Sequence, residues 1–222
     1  MTRRKCVLFD LDGTLVDSLA DLANSMNRVL IRQGFAAHPA QAYRYFVGDG
    51  IIKLVQRALP AEAQQEDVIQ DCAQKMRQEY ALHWADTTRP YSGIAELLDT
   101  LAGRGIEMAI LSNKPDELTQ KVVRTLLPQW DFAAVAGARE TIPRKPDPAG
   151  ALRIAKLLRR EPADFLYLGD TNTDMQTARA ARMFAIGALW GFRTAEELKE
   201  NGAQALLSVP IELCPLLDFT PS

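Results

Sequence analysis

The sequence predicts an α/β chain: a doubly wound parallel sheet with an all-helical insertion placed after its first strand. Three observations carry this. Short apolar runs alternate with segments of helical period through the second part of the chain. Residues from about 16 to 85 show helical spacing and no strand signal. The polar residues suited to chemistry stand beyond the ends of apolar runs, where open α/β sheets bind their ligands.

In order, Val7-Leu8-Phe9 reads as a buried strand that ends in Asp10-Leu11-Asp12-Gly13-Thr14. Leu15 to Gln33 reads as a helix, with Leu19, Leu22, Ala23, Met26, Val29 and Leu30 at helical spacing and Gly34 closing it. Pro39 to Phe46 forms a short second helix, Val47-Gly48-Asp49-Gly50 breaks the pattern, and Ile51 to Leu59 resumes it up to Pro60. Glu66 to Trp84 is long, polar and helical, which completes a four-helix bundle. From Tyr91 the alternation begins: a helix over Ile94 to Leu101, a strand over Glu107 to Leu111, a helix over Asp116 to Leu127 and a strand over Phe132 to Val135. Asp147-Pro148 starts a helix that runs to about Arg160. Phe165 to Gly169 is a strand, a helix follows from about Thr173, and Phe184 to Gly187 and Ala205 to Leu207 are the last strands. Residues 1–15 and 86–222 then form the α/β core, and 16–85 the helical insertion.

Composition narrows the function classes. The 222 residues are 47% hydrophobic and 24% charged, as in a soluble globular protein. A net charge of −2 gives no footprint for nucleic acid. No 18 apolar residues run together, and the apolar run behind Thr2-Arg3-Arg4-Lys5 is interrupted at Asp10, so neither a membrane span nor a signal peptide is expected. Cys6, Cys72 and Cys214 are too dispersed for a disulfide framework, which points to a reducing cytoplasm, with Cys6 a buried inert thiol of the first strand. Two histidines cannot build a three-histidine zinc site, and no G-x-S-x-G or phosphate-loop string occurs. Carboxylate chemistry remains.

Four clusters bear it. Asp10 ends the first strand and is placed to act as nucleophile or metal ligand; Asp12, two residues on, suits general acid and base work. Gly13 permits a turn that lets backbone N–H groups face an anion. Ser112-Asn113 offers a hydroxyl and an amide at a strand end, although the pair is also common turn chemistry. Lys145 in Arg144-Lys145-Pro146-Asp147-Pro148 reads alone as a solvated lysine, and the following proline gives a reason for it to be aimed inward. Asp170 and Asp174 in Gly169-Asp170-Thr171-Asn172-Thr173-Asp174 suit a helix-start cap as well as a metal site.

Taken together, these clusters resemble the motifs of the haloacid-dehalogenase-like hydrolases. The resemblance extends to Trp190-Gly191-Phe192-Arg193, and is nearest to the phosphoglycolate-phosphatase branch through Val47-Gly48-Asp49-Gly50 and Leu54-Val55-x-Arg57-Ala58-Leu59. It implies a Rossmann-like core with an inserted helical cap that covers the crevice and chooses the substrate. It makes Asp10 the nucleophile that forms an aspartyl phosphate, and Asp12 the group that protonates the leaving oxygen and then deprotonates water. Ser112 and Lys145 would hold phosphate oxygens. Asp10, Asp12, Asp170 and Asp174 would form the metal site, and Thr14, Asn113, Gly48, Lys53 and Arg57 would contact the substrate. Lys53 and Arg57 also read as exposed basic residues of a helix.

The charges of such a site need more than one lysine, since a unit pair at about 4 Å in an effective dielectric near 20 contributes roughly 4 kcal/mol before desolvation. Oxygen-only ligands point to Mg²⁺. The implied activity is Mg²⁺-dependent hydrolysis of a small phosphorylated metabolite, 2-phosphoglycolate first, without nucleic acid or membrane partners; monomer and homodimer both stay open. Pyrophosphate, sugar phosphates, nucleotides and phosphonates are the alternatives on the same core. A phospho-aspartate signalling receiver and a non-catalytic binding protein are the alternatives of other classes. One departure from the family pattern is Arg182 in Ala180-Ala181-Arg182-Met183, where glycine is usual; a left-handed residue there would cost about 1–2 kcal/mol.

Overall fold

Four residues with no exposed surface, Cys6–Phe9, make strand β1, and the computed structural model, which describes residues 4–218, places it in the interior of a six-stranded sheet. After β1 the backbone N–H groups of Thr14, Leu15 and Val16 all turn back to the carbonyl of Leu11, at 3.3, 2.9 and 3.0 Å. That tight loop occupies the residues read as the start of the first helix. Val16–Asp17 instead forms a short strand, β2, and the helix, α1, spans Leu19–Arg32. The helical segment continues with α2 (Tyr43–Phe46), α3 (Ile51–Ala58) and α4 (Glu66–His83), and the chain leaves it through β3 (Arg89–Pro90), which pairs with β2.

The remaining strands and α-helices are α5 (Ile94–Gly103), β4 (Glu107–Pro115), α6 (Asp116–Leu126), β5 (Ala134–Ala138), α7 (Ala149–Leu157), β6 (Phe165–Gly169), α8 (Asn172–Ala180), β7 (Phe184–Ala188), α9 (Ala195–Glu200) and β8 (Ala205–Leu207). The strand order is β5-β4-β1-β6-β7-β8, with all pairings parallel. Phe9 stands level with Ile110 on one side and Leu168 on the other. The winding goes outward from β1 through β4 and β5, then returns to β6 and goes outward the other way. The carboxyl end of β1 is therefore the switch point at which such sheets form a crevice.

Side-chain alternation buries both faces of the sheet. Cys6, Leu8, Ala109, Leu111, Phe165, Tyr167 and Ala185 join Ile154, Met175, Ala178 and Leu198 of α7, α8 and α9 in one core. Val7, Phe9, Met108, Ile110, Leu166 and Leu168, on the opposite face, are buried as well. Contacts divide the chain into two compact units: the residues up to Val16 together with those from Pro90 onward, and Asp17–Arg89. Within the second unit, Asp21 of α1 accepts hydrogen bonds from the backbone N–H and hydroxyl of both Thr87 and Thr88, at 2.6 to 3.0 Å.

Several element limits differ from the sequence reading, each for a local reason. β4 runs on through Ser112, Asn113 and Lys114, with its register against β5 shifted between Leu111 and Pro115. β5 lies later than Phe132 to Val135 because Gly137 belongs to it. A Cβ there would strike Asp116 and Thr119, and the Gly137 N–H donates to the Asp116 carboxylate at 2.8 Å. α7 stops at Leu157 rather than Arg160 because Arg159 is left-handed (φ 54°), and the Arg160 N–H returns to the Ala155 carbonyl. Arg182 ends α8 in the same way: φ is 59°, and the Met183 N–H reaches the Ala178 carbonyl at 2.8 Å. Both are glycine-type helix ends built on arginine. α9 lies in a stretch for which the sequence reading named no element.

Candidate active site

Asp10 is the first residue past β1, tied in place by its N–H to the Leu168 carbonyl at 2.9 Å. Asp170 follows β6 immediately, and Asp174 lies in the first turn of α8. One carboxylate oxygen from each of the three lies within 4.8 Å of the others, and all three residues are buried. Into this group reaches Lys145, also buried, with Nζ 2.8 Å from Asp10 and 2.6 Å from Asp174. A lysine that reads in isolation as solvated is instead the internal counter-ion of the cluster.

Neighbouring groups hold each member. Asp170 accepts the Thr14 hydroxyl on one oxygen (2.9 Å) and the Phe192 N–H on the other (2.8 Å). Gly13 (φ 89°) and Gly191 cradle that carboxylate so closely that a Cβ on either would overlap it. Asp174 serves both roles its spacing left open. Its Oδ2 accepts the Thr171 N–H (3.1 Å) and hydroxyl (2.6 Å) in a capping box, and its Oδ1 faces Lys145 and the Tyr167 hydroxyl (3.2 Å). Lys145 is held through its backbone: the Asn113 amide accepts from its N–H at 3.0 Å and donates to its carbonyl at 3.1 Å.

Three carboxylates around one ammonium leave excess negative charge. Burial, and then the charge of Asp174, push the Asp10 carboxyl up to about 7 in spite of Lys145. Burial, then Asp10 and Asp174, push Asp170 well above the usual carboxylate range. Burial works against the Lys145 charge, but Asp10 and Asp174 outweigh it and hold the ammonium well above its ordinary value. A cluster of oxygen donors this short of positive charge fits a hard divalent cation, and Asp10, Asp170 and Asp174 are the side chains that would hold it.

Other expected site residues fall elsewhere. The Asp12 carboxylate is not part of the metal-competent group; Lys114 Nζ holds both its oxygens, at 2.6 and 2.7 Å. Thr14 is wholly buried and donates its hydroxyl to Asp170, and the Asn113 amide donates to the Lys145 carbonyl. Ser112 accepts the Lys114 N–H on its oxygen (3.2 Å), which leaves its own proton to donate. In the Asp17–Arg89 unit, Gly48 has φ 115° and Lys53 is exposed on α3. Arg57 is no uncommitted cation: its guanidinium pairs with Asp49 and donates to the Phe46 carbonyl. Lys114, Tyr167 and Phe192 had no role in the sequence reading. For Lys114 the available signal was its place two residues after Ser112 on an extended strand, which directs both side chains the same way.

A family profile described as haloacid dehalogenase-like hydrolase matches residues 7–188. The phosphoglycolate phosphatase of Pseudomonas putida is 33% identical over 195 residues, 86% of this chain and 71% of that protein. The phosphoglycolate phosphatase of Aquifex aeolicus is 29% identical over 214 residues, 96% of this chain and 97% of that protein. Among solved structures, one from Lactobacillus delbrueckii subsp. bulgaricus, provisionally described as a phosphoglycolate phosphatase, superimposes with a TM-score of 0.91 at 27% identity, covering 99% of this chain and 100% of its own.

Proposed function

The chain belongs to the haloacid dehalogenase-like hydrolases, and from that premise we propose that it hydrolyses small phosphate monoesters through an aspartyl phosphate on Asp10, with 2-phosphoglycolate the preferred substrate. The observation that carries the reading is the convergence of Asp10, Asp170, Asp174 and Lys145 at the carboxyl end of the central strand. The substrate preference follows the relatives in Pseudomonas putida and Aquifex aeolicus.

An Asp10 oxygen attacks phosphorus as the bond from phosphorus to the leaving oxygen breaks, and Asp12 gives that oxygen its proton. Water then attacks the aspartyl phosphate, the bond from the Asp10 oxygen to phosphorus breaks, and Asp12 takes the water proton. Lys145 holds Asp10 in line and binds a phosphate oxygen; the Ser112 hydroxyl donates to another. Asp10, Asp170 and Asp174 would hold a Mg²⁺ ion, which when bound would supply positive charge for the transferring phosphoryl group. Asp12, whose proton an alkoxide leaving group needs and a halide does not, favours phosphate esters over haloacids. Gly48, Lys53 and Arg57 remain the proposed readers of the substrate's remote end, with Arg57 having first to part from Asp49.

The test is a panel of phosphorylated metabolites assayed with Mg²⁺ and with EDTA. The reading expects the highest kcat/KM on 2-phosphoglycolate and no turnover in EDTA. Turnover of none of the esters, or equal turnover in EDTA, refutes it. A higher kcat/KM on pyrophosphate, a sugar phosphate or a nucleotide reassigns the substrate and keeps the chemistry.

A further inference from the structure

We propose that Lys114 is a positioning residue for the acid/base carboxylate of Asp12, an inference that rests on the reading of Asp10 and Asp12 given above. The Lys114 ammonium grips both oxygens of Asp12, at 2.6 and 2.7 Å, with the lysine side chain only 4% exposed and that of Asp12 17%. A lysine so deeply placed is costly unless its charge is matched, so the contact is firm rather than one of many surface options. Asp12 sits in the turn around the Leu11 carbonyl, next to left-handed Gly13, and this backbone does not by itself set the direction of a two-torsion side chain. A cation on both oxygens sets it.

The arrangement also gives each catalytic carboxylate its own ammonium. Lys145 is committed to Asp10 and Asp174, and Lys114 to Asp12. The Lys114 backbone N–H donates to the Ser112 hydroxyl oxygen at 3.2 Å, so the clamp on the acid/base group and the phosphate-binding hydroxyl are fixed by the same few residues of β4. A shift of Lys114 therefore displaces the proton donor relative to the phosphorus that Asp10 attacks.

The consequence is a dependence on the leaving group. A misplaced Asp12 slows release of a basic alkoxide, which must receive a proton as its bond to phosphorus breaks. It hardly affects release of p-nitrophenolate, which departs unprotonated. Lys114→Met is expected to lower kcat/KM on an alkyl phosphate by about 100-fold, and on p-nitrophenyl phosphate by less than about threefold. Lys114→Arg, which keeps a charged fork for the carboxylate, should retain most of the alkyl phosphate activity. In an Asp12→Asn background, Lys114→Met should cost nothing further on either substrate. Should Lys114→Met fail to fold, Lys114→Gln is measured in the same series.

Equal losses on the two substrates, or a full further loss in the Asp12→Asn background, overturn the proposal while leaving the phosphatase reading intact. A wild-type chain that turns over neither ester overturns the phosphatase reading, and the proposal with it.

Discussion

Replacing Asp10 with asparagine separates what the carboxylate does for catalysis from what it does to the fold. Burial and the charge of Asp174 lift this carboxyl from 3.8 to about 7, with Lys145 pulling the other way. A rise of about three pH units, at roughly 1.4 kcal/mol each, means that the metal-free fold disfavours ionised Asp10 by about 4 kcal/mol relative to the unfolded chain. Because the folded value is the raised one, the proton's stabilising contribution is complete below the unfolded value of 3.8 and is lost as pH rises through about 7. Near pH 7.5 the wild type carries the ionised group and its cost, whereas Asp10→Asn keeps the shape without the charge. In EDTA the variant should be the more stable by up to about 4 kcal/mol near pH 7.5, with the gap closing toward pH 4. Urea unfolding at the two pH values measures this, and saturating Mg²⁺ should narrow the gap by binding the wild-type carboxylates more tightly. Turnover should fall by more than about 10⁴-fold. A variant less stable than the wild type near pH 7.5, or a gap that does not change with pH, would refute the electrostatic account.

Two further changes test other parts of the chain. In the helical unit, burial alone would raise the Asp21 carboxyl, but the donors of Thr87 and Thr88 outweigh it and hold it below its ordinary value. Asp21→Asn should therefore cost about 2–3 kcal/mol in urea unfolding at neutral pH. The loss should shrink as pH falls through the folded value and the wild-type group takes up a proton, and a loss that stays constant in acid would contradict the assignment. Arg182→Gly should raise the thermal midpoint, since glycine adopts φ 59° freely and relieves up to about 1 kcal/mol of backbone strain. A lower midpoint would show that the arginine side chain contributes more than its backbone costs.

The strand ends were readable because their signals are local: an apolar run followed by acids, a hydroxyl or a glycine. Asp10, Asp170 and Asp174 stand where such runs stop, and a parallel sheet brings its strand ends to one side. Partner choice across long stretches of chain was not readable. Thr14 spends its hydroxyl on Asp170, Asn113 its amide on the Lys145 backbone, and Lys114 its charge on Asp12; each contact depends on how β1, β4 and β6 stack. The helix α1 starts later than Leu15 because the N–H groups of Leu15 and Val16 turn back to the Leu11 carbonyl, a loop that the helical spacing from Leu19 onward does not reveal. Helix ends are hard to place from sequence where arginine does the work of glycine, as at Arg159 and Arg182.

The interior position of β1 also shapes how the protein comes into being. Cys6 of this strand is level with Glu107 on one side and Phe165 on the other, so its flanking partners are made long after it is. At roughly 5 to 20 residues per second, a nascent chain waits about 8 to 30 s between making β1 and making β6. Throughout that interval a wholly apolar strand lacks at least one of its two neighbours, and exposed apolar strands of this kind are prone to aggregate. Asp10, directly after this strand, is thus made long before Asp170 and Asp174, the carboxylates it meets in the folded chain.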